Sequence, residues 1–261
     1  MIISHVNAEP FHQLAYRTSG PKGKAVRCLL PFHMANSATL PDTCSAIVCV
    51  SDLQGRELGP RNRLLGEVVA DELIRMVRSR QIPAVEQVLL AGDMFDYEDC
   101  HKRGGSGEVL PVWESFCRSF PTVAGVLGNH DILEKSQRLP KNGTLLDSAV
   151  RKIGSFTIGG VSGIIGDPKR LQRKSEGDFL CCVEAVIAKR PDILLLHQGP
   201  DDPSTGRRGE ALVRKALEDR YRGLTVFGHA HWEWPFLISL GAGQAINVDA
   251  RVVVITPATC K

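Results

Sequence analysis

A layered α/β fold, with a two-sheet β-sandwich core flanked by helices, is what this 261-residue sequence predicts. Three observations carry the prediction. Five short runs, AIVCVSD (46–52), QVLLAGD (87–93), TVAGVLGNHD (122–131), DILLLHQ (192–198) and LTVFGHAH (224–231), begin near-continuously apolar, as strands buried on both faces do. Segments of helical period lie between them, which makes the connections crossovers. Further β-rich pieces fall in 145–165 and in PFLISL, QAIN and RVVVI, a number of strands that two sheets accommodate better than one open sheet.

Taken in order, residues 1–43 carry the weakest pattern. Ala25 to Met34 has strand character, but Pro31 confines such a strand to an edge or breaks it. The stretch is therefore set apart as an appendage of uncertain structure, with residues 44–261 forming the functional domain. After the break at Pro60, the residues Leu65, Val68, Val69, Leu73, Met76 and Val77 fall on one helical face and predict a helix over 62–79. The glycines between Gly104 and Gly107 mark a loop. No fixed-period repeat or low-complexity tract interrupts the chain.

Composition narrows the function classes. At 43% hydrophobic and 23% charged the chain reads as a soluble globular protein, and its apolar runs are too short to cross a bilayer. The formal charge of +3 suits a phosphate-bearing ligand but not a dedicated nucleic-acid coat. Eight cysteines (Cys28, Cys44, Cys49, Cys100, Cys117, Cys181, Cys182 and Cys260) form no CxxC pair, so they read as buried thiols rather than as a disulfide or zinc framework. The N-terminus has no apolar core followed by a small-residue cleavage site, which makes the cytoplasm the expected compartment.

The chemistry lies where the strands end. Loops beyond the carboxyl ends of strands converge in α/β folds. Those ends supply Asp52 and Gln54; Asp93 and Asp96; Asn129, His130 and Asp131; His197; and His229 with His231. The pool is carboxylate, imidazole and amide with no thiolate, which suits manganese, iron, zinc or nickel in an open site and not structural zinc. Singly, Asp52 reads as a turn or cap residue and His197 as a hydrogen-bonded core histidine. Their joint order, each after an apolar run and three of the groups after a glycine, outweighs those readings. Seven plausible donors exceed what one open metal site needs, so two ions sharing a carboxylate fit better.

The order GDMFD, GNHD, strand-end His, GHAH resembles the calcineurin-like metallophosphoesterase superfamily over about residues 46–255. The resemblance implies two divalent ions, one held by Asp52, Gln54, Asp93 and His231 and the other by Asp93, Asn129, His197 and His229, with Asp93 bridging. It also implies a helix-flanked β-sandwich, in agreement with the strand count. The first block reads SDLQG, with Gln54 where the family usually has His; an amide oxygen favours manganese over zinc there.

A metal-bridging hydroxide attacking phosphorus in line is the mechanism so implied, with His130 as general acid and Asp96, or alternatively Asp131, orienting its ring. GDMFDYE and GNHD differ from the GDxVDRG and GNHE of the family's protein phosphatases, which makes a phosphodiesterase, possibly of nuclease or cyclic-nucleotide type, the leading expectation. A phosphomonoesterase or protein phosphatase is the alternative, and a non-catalytic scaffold the rival from another class. Arg207 and Arg208, in the loop after His197, are candidate substrate contacts. The basic run Lys169, Arg170, Arg173 and Lys174 reads first as a solvated loop, and His5, His12, His33 and His101 stand outside the constellation.

Overall fold

The computed structural model describes residues 1–102, 104–134, 136 and 138–258. Three strands open the chain, β1 (Ile3–Val6), β2 (His12–Ser19) and β3 (Ala25–Ser37), followed by β4 (Ile47–Ser51), helix α1 (Leu65–Arg78) and β5 (Gln87–Leu90). Next come β6 (Gly107–Glu108), α2 (Leu110–Ser119), β7 (Thr122–Gly125), β8 (Asp131–Ile132) and β9 (Gly143–Leu145). The second half carries β10 (Ala149–Ile153), β11 (Phe156–Val161), β12 (Ile164–Ile165), β13 (Arg173–Lys174), α3 (Glu176–Ile187) and β14 (Ile193–Gln198). It ends with α4 (Ala211–Arg220), β15 (Leu224–Gly228), β16 (Leu237–Leu240), β17 (Gly243–Asn247) and β18 (Arg251–Pro257).

Two mixed sheets form the centre. One runs β1-β3-β18-β4-β5-β7-β9 with β2 attached to β3, and the other runs β10-β11-β14-β15-β17-β16. Their central pairs, β4 with β5, β5 with β7, β11 with β14 and β14 with β15, are parallel, as crossover connections require. Alternation along each strand assigns the faces. Val48, Val50, Val88 and Leu90 pack with Val69, Leu73, Val112 and Phe116 of α1 and α2, whereas Ile47, Cys49, Leu89 and Ala91 belong to the core shared with the second sheet. A side chain at Gly160 would run into Val126, just beyond β7 of the first sheet, and one at its neighbour Gly159 into Val186 of α3. The layers are thus helices, sheet, sheet, helices, the predicted sandwich. No helix among the described residues is long and apolar enough to cross a membrane.

The five predicted runs become β4, β5, β7, β14 and β15, and the helix expected over 62–79 forms at Leu65–Arg78. Residues 1–43, set apart by sequence, behave otherwise: β1, β2 and β3 are hydrogen-bonded members of the first sheet. Pro31 is compatible with this because β3 has β2 beside it over 25–32 and meets β18 only from Phe32 onward, so Pro31 removes no bond to β18. The thiols also depart from expectation. Cys44, Cys49, Cys100 and Cys117 are buried, but Cys28 and Cys182 are only half-buried and Cys181 is exposed on the solvent side of α3; Cys260 lies outside the described residues.

Candidate metal centre and active site

Several of the ligand-type residues stand just beyond a strand end, where the backbone turns abruptly. Asp52, Asp93 and His229 adopt left-handed backbone angles, φ 53°, 56° and 67°, an arrangement that costs non-glycine residues energy and collects at functional sites. Close approach explains two of the preceding glycines. A side chain at Gly128 would collide with the Asp93 carboxylate, and one at Gly228 with Ser51 and Asp52.

The result is convergence. One ligand atom from each of Asp93, His197 and His229 lies within 4.8 Å of the others. Asp93 is buried, and its two oxygens face different ways: Oδ1 accepts the His130 backbone N–H at 2.9 Å, while Oδ2 lies 3.3 Å from His197 Nε2 and accepts from Gln54 Nε2 at 3.2 Å. His197 Nδ1 pairs with the Ala91 carbonyl at 2.8 Å, which leaves Nε2 as the atom aimed at the site. His231 is set in the same manner by Asp249, 2.9 Å from its Nδ1. Asp52 Oδ2 accepts from Ser51 Oγ at 2.7 Å and from the His229 backbone N–H at 2.9 Å. Asp52, Gln54, Asp93, His130, His229 and His231 line one cleft of about 590 Å³.

Electrostatics fit a cation. Burial works against a charge on His197, yet Asp93 and Asp52 outweigh it and push the ring up to about 10. Burial likewise opposes ionisation of Asp93, but His197 holds it below the usual carboxylate range. Asp52 is raised well above that range by burial and by the neighbouring Asp249, and burial with the nearby His197 takes His229 down to about 4. A proton on His197 thus stands where two carboxylates call for positive charge. Asn129 adds a second sign, since its buried Oδ1 has no hydrogen-bond partner among the described residues. A buried amide oxygen left unpaired beside carboxylates and an imidazole nitrogen suits a divalent ion of borderline or hard character.

The expected support of His130 is different in the structure. The ring is half-buried and its Nδ1 lies 3.1 Å from Ser106 Oγ, in the glycine-flanked loop that sequence marked only as a loop. Gly104 of that loop lies so close that a side chain would meet the ring at Cε1 and Nε2. Asp96 is buried and has other partners: its carboxylate accepts from the Tyr97 N–H at 2.8 Å and from Thr18 Oγ1 at 3.2 Å, and its carbonyl accepts from the Arg56 guanidinium. Asp131 is not a ring partner either. Its two oxygens accept three backbone N–H bonds, from Asp93 at 2.8 Å, Met94 at 2.7 Å and Gly128 at 2.9 Å, and tie the GDMFD and GNHD loops together. The resemblance implies Asp96, with Asp131 as the alternative, for the His130 ring; in the structure backbone donors of the tight loops occupy both carboxylates.

The two arginines after His197 separate. Arg207 is committed to Asp202 at 3.0 Å and lies over the Trp232 ring, 5.4 Å from its centroid. Arg208 is exposed and lines an adjoining cleft with His229 and His231. Lys174 of the basic run pairs with Asp147 at 3.2 Å. Residues that sequence reasoning missed are Ser106, Asp249 and Thr18, whose contacts join positions 18 to 78 residues apart.

The family model of calcineurin-like phosphoesterases matches residues 45–233, and the chain belongs to that family. It is accordingly a metal-dependent phosphoester hydrolase. Solved structures of similar fold include the phosphopantetheinyl hydrolase PptH of Mycobacterium tuberculosis, at 14% identity over 79% of this chain and 89% of that one, TM-score 0.43. The sulfate thiohydrolase SoxB of Thermus thermophilus is similar at 14% identity over 83% and 57%, TM-score 0.43, and the purple acid phosphatase PPD1 of yellow lupin at 12% over 94% and 49%, TM-score 0.40. No curated protein sequence matches the chain.

Proposed function

We propose that the protein is a binuclear, manganese-preferring phosphodiesterase of the cytoplasm. Asp52, Gln54, Asp93 and His231 would hold one ion and Asp93, Asn129, His197 and His229 the other. The observation that carries this reading is the convergence of Asp93, His197 and His229 within 4.8 Å around two oxygens that face different ways. Divalent ions bound there supply Lewis acidity to the phosphoryl oxygens and a more acidic water for attack on phosphorus.

The chain's own groups do the rest. Ala91 and Asp249 fix the ring orientations of His197 and His231 through Nδ1. His130, held through its backbone at Asp93 and through its ring at Ser106, donates a proton to the leaving oxygen. Burial lowers its pKa, which makes the protonated ring a stronger acid. Arg208 contacts a phosphoryl oxygen or a neighbouring phosphate of a nucleotide or nucleic-acid substrate from the adjoining cleft. Sequence favours the diester, because GDMFDYE and GNHD lack the Arg-Gly and Glu of the protein-phosphatase blocks.

Turnover of bis-p-nitrophenyl phosphate and of p-nitrophenyl phosphate, each with manganese, iron, zinc or nickel, tests the reading. The diester should give the higher kcat/KM, most strongly with manganese. Preference for the monoester would make the protein a phosphomonoesterase, and no metal-dependent turnover of either would contradict the proposal.

A further inference from the structure

The opposite wall of the metal cleft comes from the β2–β3 hairpin, in residues that precede the family-matched region. Tyr16, Thr18, Val26 and Cys28 line the same cleft as Asp52, Gln54, Asp93 and His130. Strand register explains which side chains face it. Tyr16 pairs with Cys28 and Thr18 with Val26, and these two pairs share one face of the hairpin. The intervening pair, Arg17 with Arg27, falls on the other face, and the Arg17 guanidinium donates to Asn62 and to the Glu98 carbonyl. A slip of one residue would reverse this and turn two arginines toward the metal centre. The hairpin therefore presents an uncharged surface opposite a charged one.

That surface is held in place. Arg17 and Arg56 exchange backbone hydrogen bonds of 3.0 and 2.8 Å, Thr18 Oγ1 donates to Asp96, and the Tyr16 ring lies so close over Gly55 that a side chain there would strike it. The wall is thereby tied to the SDLQG and GDMFD loops that carry the metal ligands. A phosphoester divides in the same way, into an anionic phosphoryl group and an organic arm.

We infer that the hairpin wall is a specificity-determining subsite for an uncharged, planar organic arm of the substrate, with Tyr16, Val26 and Cys28 as its contacts. The inference rests on the phosphoesterase reading above and adds the chemistry of the ester group. An arm of this kind gains by burying apolar surface on Tyr16 and Val26, whereas a second phosphate would meet no positive charge on the cleft-facing side of the hairpin among the described residues.

Binding of methylphosphonate and phenylphosphonate to the manganese-loaded full-length protein tests it, by calorimetry and without turnover. Burying some ~50–60 Å² of ring surface implies that phenylphosphonate binds about tenfold more tightly than methylphosphonate. Tyr16→Ala should erase most of that preference while leaving methylphosphonate affinity at saturating manganese unchanged, and Tyr16→Phe should retain it. Cys28→Trp, which narrows the cleft instead of widening it, should weaken phenylphosphonate alone. Equal, manganese-dependent binding of both phosphonates to the unaltered protein would overturn the subsite and leave the phosphoesterase reading standing. Loss of both ligands together in Tyr16→Ala and Cys28→Trp, with metal retained, would also overturn it. Absence of any manganese-dependent phosphonate binding would overturn that reading and the subsite with it.

Discussion

Replacing Asp131 by Asn separates two roles for a carboxylate that sits next to the proposed general acid. The substitution preserves shape but exchanges one acceptor oxygen for an amide donor. In the structure one oxygen serves the Asp93 and Gly128 N–H groups and the other serves Met94. The best Asn orientation keeps its oxygen on the first two and turns its NH₂ toward the Met94 N–H, leaving a buried donor unpaired at a cost of about 1–3 kcal/mol. Burial and the adjacent Asp93 push the Asp131 carboxyl up to about 6, so removing its charge relieves some repulsion and offsets part of that cost. A net loss of about 1 kcal/mol lowers Tm by about 2–4 °C in a chain near this size.

The catalytic consequence follows from what Asp131 touches. Because it positions Asp93 and not the His130 ring, Asp131→Asn should raise the manganese concentration needed for half-maximal activity, with kcat largely recovered at saturating metal. Thermal melts and metal titrations of bis-p-nitrophenyl phosphate hydrolysis measure both. An unchanged Tm together with a loss of kcat that persists at saturating manganese and falls hardest on poor leaving groups would refute the loop-tying role and return Asp131 to His130.

Three further outcomes follow from other contacts. His130→Ala should cost about 10² to 10⁴ in rate with alkyl or sugar leaving groups and less with aryl ones, and equal losses on both at unchanged metal content would contradict its role as acid. Gln54→His should retain the first ion better through dialysis, because imidazole is the stronger ligand for borderline metals, although it gives up the amide bond to Asp93; metal content of the two dialysed proteins measures this. Glu57, bonded to Arg63 at 2.9 Å, is held below the usual carboxylate range by that guanidinium, so its contribution is present above the unfolded-state pKa and disappears as pH falls through the folded one. Melts of Glu57→Gln should show a loss of about 0.5–1 kcal/mol at pH 7 that vanishes in acid.

The sandwich and the strand-end placement of the candidate ligand residues were legible because they depend on local pattern. β4, β5, β7, β14 and β15 are buried on both faces, so each advertises itself as an apolar run, and chain direction alone puts the ligand groups at the carboxyl ends. β2 and β3 were hidden for the opposite reason: half-buried residues and Pro31 dilute their alternation, and their place in the sheet depends on β18, which lies more than 200 residues away. Partners within the site were hidden as well. Ser106 on His130 and Asp249 on His231 lie in loops whose sequence carries no periodic signal, and the backbone N–H groups that Asp96 and Asp131 accept from could not be read from the sequence of tight loops.

Metal stoichiometry tests the central claim, that Asp93 joins two ions into one catalytic unit. Elemental analysis of manganese-saturated, gel-filtered protein, paired with diester turnover on the same samples, should find about two ions per chain in the unaltered protein and a marked loss of bound metal with collapse of turnover in Asp93→Asn. Two ions retained and turnover preserved in Asp93→Asn would contradict the account.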